Sequence, residues 1–227
     1  MRELLSLRTS STQESAESRQ RRKGTGRVEA LSDGIFAIAM TLLVLEIQVP
    51  EVTNDESLVR ALVDDWPSHL AFLIGFFTLL VCWVNHHYMF ELIDRSDGVL
   101  LLLNGFKLLI VSFTPFATAV LAKYLDTEHL QTAASVYTLN FLFMGLAMTC
   151  LWSYAVRRGL VVDMPAQRLT LTTRLYVLAS ILSAAIFGLS FVSVWACFAL
   201  FLIMFGIFIF PRDLVSLSAR LASRYAT

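Results

Sequence analysis

Six apolar runs of about twenty residues or more leave this chain few ways to fold. They lie at about 28–49, 68–92, 97–122, 130–155, 169–189 and 192–210. At 1.5 Å of rise per residue, a helix over Val28–Val49 covers roughly 33 Å, enough to cross a hydrocarbon core. Composition agrees, with 56% hydrophobic residues, 17 Phe and a mean hydropathy of +0.66. A soluble domain of 227 residues is far less apolar. Backbone inside a bilayer must satisfy its own polar groups, which helices do. The expectation is an all-α integral membrane protein with six transmembrane helices.

Net charge is zero, but the charges are sorted. Seven basic residues from Arg2 to Arg27 precede the first run, and Arg95 follows the second. Arg157, Arg158, Arg168 and Arg174 surround the loop after the fourth, and Arg212, Arg220 and Arg224 follow the sixth. The opposite loops hold only Arg60 and Lys123, among seven acidic residues. Basic residues stay on the cytoplasmic side, so both termini are expected there. Residues 1–26 read as a mobile cytoplasmic tail, 27–211 as one six-helix domain, and 212–227 as a short cytoplasmic tail. The Arg21–Lys23 cluster is expected to meet lipid headgroups, not nucleic acid. The first run is too long for a signal peptide, contains Glu46 and ends at Pro50 without a small-residue cleavage site, so it reads as uncleaved.

Within that first run, Leu31, Ile35, Ile38, Leu42, Leu45 and Val49 alternate spacings of four and three, the seam of a left-handed helix bundle. Beside them Ala30, Gly34, Ala37 and Thr41 form a small-residue stripe that admits a close neighbour. Periodicity alone leaves the bulky stripe facing either lipid or a channel axis. Asp33 needs a partner or water at that depth, and Arg27 lies on a different face of the helix. The polar end of this helix therefore has to dock on others.

Polar groups recur in the next spans. The second ends in Trp83, Asn85, His86, His87 and Phe90; the third buries Asn104 and Lys107, which share a face. Adjacent histidines point about 100° apart, so His86 and His87 are expected to bond across helices, with Asp33 an acceptor at similar depth, and no metal is expected. Lys107 is costly ten residues into a span, and a bridge to Asp33 or Glu29 would offset it. Pro115 frees the carbonyl of Val111, which Ser112 or Thr114 would satisfy. Cys82, Cys150 and Cys197 lie within spans without ligand spacing, so neither a disulfide nor zinc is expected.

RVEALSDGIF (27–36) resembles the first-helix signature R-x-x-x-F-S-D-x-x-F of the transmembrane-protein-175-type potassium channels of endolysosomes and bacteria. Arg27, Ser32, Asp33 and Phe36 match, and Leu31 stands where Phe is usual. The similarity continues through WVNHHYMF (83–90) and LLLLNGFKLLIVSFTPF (100–116), while Lys107 lies outside the family's pattern. The resemblance implies a six-span, one-repeat chain assembling as a homotetramer, with the first helix of each subunit lining the pore. It places the hydrophobic constriction five residues after the motif aspartate, at Ile38, with Ile35, Leu42 and Leu45 along the same wall. It places a threonine that shapes potassium preference at Thr41. It also implies that Arg27, Ser32 and Asp33 are held by polar residues of the second and third helices, for which His87 and Asn104 are the preferred partners.

The expected function is thus a leak-like potassium channel in the plasma membrane, prokaryotic in type, with potassium as permeant ion and no cofactor. Its expected partners are its own copies and membrane lipid. No TVGYG-type loop is present, which excludes selectivity by carbonyl rings. A proton- or ion-coupled transporter using Asp33, His86, His87 and Lys107 is the alternative, but no internal repeat or broken helix supports it. No nucleophile with its base, P-loop or GxGxxG occurs, so an enzyme is not expected.

Overall fold

The computed structural model describes residues 25–51 and 57–209. The Arg21–Lys23 cluster and the tail from 212 onward fall outside them, and the chain is already helical at Thr25. Helix α1 (Thr25–Glu46) tightens to a 3-10 turn over Leu43–Glu46. A short exposed helix, α2 (Leu58–Asp64), leads into α3 (Trp66–Glu91), which opens with Pro67 in its first turn, where a missing N–H costs nothing. Then come α4 (Gly98–Tyr124), α5 (Leu130–Arg157), α6 (Ala166–Ser190) and α7 (Val194–Phe208).

Five of these, α1, α3, α4, α5 and α6, are long and apolar enough to cross a membrane. The sixth expected span corresponds to α7, whose 15 residues reach roughly 22 Å, short of a hydrocarbon core. It begins at the Ser193 cap, whose hydroxyl accepts from Ala196 N, and the described residues end one residue after it.

Sequence neighbours pack as spatial neighbours: α3 on α4, α4 on α5, α5 on α6, and α6 on α7, with α1 laid against α3 and α4. Polar side chains tie these helices together, since hydrocarbon offers them no competing partner. Asn140 donates to Thr114 at 3.0 Å, Thr149 and Ser180 meet at 2.7 Å, and the Trp152 indole donates to Thr173 at 2.9 Å. Gly75 permits the closest approach: a Cβ there would lie 2.7 Å from Thr118 Oγ1 and 3.2 Å from Leu43 Cδ2.

At the end of the bundle where α1 begins, the loops after α3 and α5 join. Asp94 N donates to Leu160 O and Val162 N to Leu92 O, both at 2.9 Å. Gly159, at a φ of 62°, reverses the chain after α5, and Leu160 N then caps Ala155 O. Asp97 caps α4 by accepting from Leu100 N at 2.8 Å and from the Tyr154 hydroxyl at 2.7 Å. Helix α4 continues through Pro115. The nearby hydroxyls bond elsewhere than expected: Ser112 donates to Leu108 O and Thr114 to Ile110 O, neither to Val111 O.

Candidate functional site

Helix α1 has one locked face. Ser32, Phe36, Ala39 and Leu43, spaced four, three and four, are buried against α3 and α4. This is neither stripe singled out in the sequence. Leu31, Ile38, Leu42, Leu45 and Val49 are exposed, Ile38 at 59%, and Ile35 is half-buried. Ala30, Gly34, Ala37 and Thr41 are exposed as well, and a Cβ on Gly34 would meet nothing within 4 Å. Both stripes therefore stand open on the single chain. The Thr41 hydroxyl donates to Ile38 O of its own helix at 2.9 Å.

The motif residues are spread around the locked face. Ser32 accepts from Asn104 Nδ2 at 3.0 Å and donates to Val28 O. Asp33, half-buried, accepts from the indole N–H of Trp83 at 2.8 Å, so its partner is Trp83 instead of His87. His87 goes to Glu29: Nδ1 lies 2.7 Å from Oε1, a short contact without hydrogen-bond alignment, while Nε2 is 3.7 Å from Glu91 and the ring stacks on Trp83. Arg27 is exposed.

Depth explains the exchange of partners. Helices α1 and α3 run antiparallel, the start of α1 level with the end of α3. Glu29 and His87 each lie four residues in from that end, and Asp33 and Trp83 each lie eight. At 1.5 Å per residue, His87 is about 6 Å too shallow for Asp33. A long indole inside a span needs an acceptor, and the carboxyl at its own level supplies one. That signal was readable from Trp83 alone.

The same register corrects Lys107. Its level on α4 is that of Phe36, so Asp33 and Glu29 lie one and two turns shallower. Lys107 is fully buried, and Nζ has no hydrogen-bond partner and no carboxylate within 4 Å among the described residues. The Phe36 ring lies beneath it, with Nζ 4.6 Å from the centroid. His86, also fully buried, flanks the same ring at 5.7 Å and lies tilted against Phe90 at 4.5 Å, with both nitrogens unpartnered among the described residues. No hydrogen bond links Asp33, His86, His87 and Lys107 into a relay among the described residues.

No group of three or more His, Cys, Asp or Glu able to hold a metal occurs among the described residues. What the arrangement offers is mechanical: a helix fixed along one face by α3 and α4, presenting an apolar seam and a small-residue stripe to whatever lies outside.

Comparison with known proteins places this arrangement. The sequence model of the family described as endosomal/lysosomal potassium channel TMEM175 matches residues 27–115. A protein of Chamaesiphon minutus named a potassium channel is 44% identical over 184 residues, which are 78% of this chain and 91% of that one. Another so named, from Streptomyces collinus, is 41% identical over 174 residues, covering 74% of this chain and 84% of its own. The crystal structure of a lysosomal potassium-selective channel TMEM175 homolog from Chamaesiphon minutus superposes with a TM-score of 0.74 at 40% identity, covering 85% of this chain and 98% of that one. Identity at that level over nearly the whole of a relative, with the helices in the same places, is shared descent, and the chain belongs to the TMEM175 family of channels.

Proposed function

We propose that this chain is a potassium channel that works as a homotetramer, with α1 of each subunit lining a central pore. The observation that carries the reading is the split of α1 into a face locked by Ser32, Phe36, Ala39 and Leu43 and an opposite seam left open. A lipid-facing surface needs no seam, because leucine packs equally well against acyl chains. Spacings of four and three are what helices converging on one axis require. One such helix cannot enclose a path, so several copies must supply the wall, and cyclic closure is the common solution.

On that axis Ile38 forms the constriction, with Ile35 below and Leu42 and Leu45 above. Four isoleucines offer an ion nothing in place of its hydration shell, so the barrier is desolvation, and rotation or spreading of α1 lowers it. Thr41 is the polar position beside this ring and is assigned to potassium preference. The network of Ser32 with Asn104, Asp33 with Trp83 and Glu29 with His87 holds α1 at a set depth. The apolar run 192–210, of which α7 is the described helix, is read as the sixth span. The sorted charges favour cytoplasmic termini, and the bacterial relatives favour the plasma membrane of a prokaryote.

The test is flux through purified protein in liposomes. Potassium uptake down its own gradient, faster than sodium uptake, is the expected result. Uptake that instead requires a gradient of a second ion would replace this reading with the coupled transporter.

A further inference from the structure

Lys107 is the one buried cationic side chain of the described spans that the pore reading leaves without a task. Among the described residues its Nζ has neither hydrogen bond nor carboxylate, in a setting where an ammonium group without a partner is expelled or neutralised. The group it does have is the face of Phe36 at 4.6 Å, within the range of a cation–π interaction. Phe36 belongs to α1 and sits about 160° around that helix from Ile38. Within the apolar cluster that buries it, the same ring also meets the His86 ring of α3. The ring is thus gripped at the back of the pore-lining helix by a charge on α4 and an aromatic group on α3.

We infer that Lys107 is a positioning residue for gating: its ammonium group holds the Phe36 π-face and so sets the rotation of α1 that presents Ile38 to the axis. The neighbouring contact is Asn104 to Ser32, one turn earlier on both helices. Two contacts of one helix pair, a hydrogen bond and a charge on a ring, define a rotation where one alone would act as a pivot. A water-excluded cation–π contact is worth about 30-fold in an equilibrium between held and released helix. This inference rests on the proposal that α1 lines the pore.

Fluorinated phenylalanines at position 36 test it, because added fluorines drain the ring quadrupole with little change of shape. Across the mono-, di- and trifluoro series the expected result is a monotonic fall in thermal midpoint and a monotonic shift in the open-to-closed ratio. Unitary conductance and potassium preference should stay constant. Lys107→Arg should preserve the gradient, and Lys107→Met should abolish it while shifting gating by about 30-fold. A flat series in the parent protein, or one equally steep in the Lys107→Met background, overturns the tether. Ile38 substitutions and the thermal series separate the two ideas. If Ile38 leaves permeation untouched the pore assignment fails, while the thermal gradient still reports whether Lys107 grips Phe36.

Discussion

At the residue scale, the deciding property is which side of α1 a group stands on. Ile38 is exposed on its own chain and Phe36, two residues away, is fully buried. In the proposed pore, replacing Ile38 with Asn puts a ring of dipoles at the constriction, so single-channel conductance should rise and the potassium-to-sodium reversal-potential difference should shrink. Leu42→Asn, one turn further out, should act in the same direction but less. The hydrogen bond from Trp83 to Asp33 belongs to the opposite side. Trp83→Phe and Asp33→Ala should each destabilise the protein by about 1–3 kcal/mol, mainly through the polar group left behind. The double variant should cost less than the sum, because each single change already removes the pair. Thermal unfolding in detergent reads this, and ion preference should not move. A selectivity change at Asp33 with stability intact would mean the carboxyl serves ions directly.

At the scale of elements, close approach and capping decide which changes are tolerated. A Cβ at Gly75 would press on Thr118, and one at Gly145 would lie 2.9 Å from Ser183 Oγ, whereas Gly188 has open space. Gly75→Ala and Gly145→Ala should therefore lower the thermal midpoint. Gly188→Ala should raise it slightly, by up to about 1 kcal/mol of helix propensity. The cap of α4 adds a pH signature. The backbone N–H of Leu100, and after it the Tyr154 hydroxyl, hold the Asp97 carboxyl below the usual carboxylate range. A depressed folded value contributes stability above the unfolded carboxylate range and loses it as pH falls through the folded one. Asp97→Asn should thus flatten the acid limb of a thermal-midpoint profile between roughly pH 5 and 3. Parallel profiles for the two proteins would show that the cap carries no such linkage.

At the scale of the molecule, α1 leans mainly on α3 and α4 among the described residues, with most of its surface open, while α4 and α5 are flanked on both sides. In the proposed pore, further copies enclose that open surface. The expected mass in mild detergent is roughly four times the 25.5 kDa of the chain, after subtracting bound detergent. A monomer that still conducts potassium would remove α1 from the pore wall.

Much of this was legible before any coordinates. Length and apolarity of the runs determined membrane-crossing helices, because hydrocarbon leaves the backbone no other option. Helix limits fell within a few residues of the expected runs, since caps such as Asp97 and Ser193 and breakers such as Pro67 act locally. The polar residues of the site were legible too, because a hydrogen-bonding group inside a span stands out against its surroundings. Their pairing was not. Asp33 took Trp83, His87 took Glu29, and Lys107 took the ring of Phe36, because partners in a membrane are set by equal depth on neighbouring helices. Depth depends on how α1, α3 and α4 slide against one another, and that is a property of their packed surfaces. The same holds for the faces of α1. Its periodicity marked two stripes without saying which would be buried, and packing buried a third, around Phe36, because only contact with another helix distinguishes apolar faces that lipid would accept equally well.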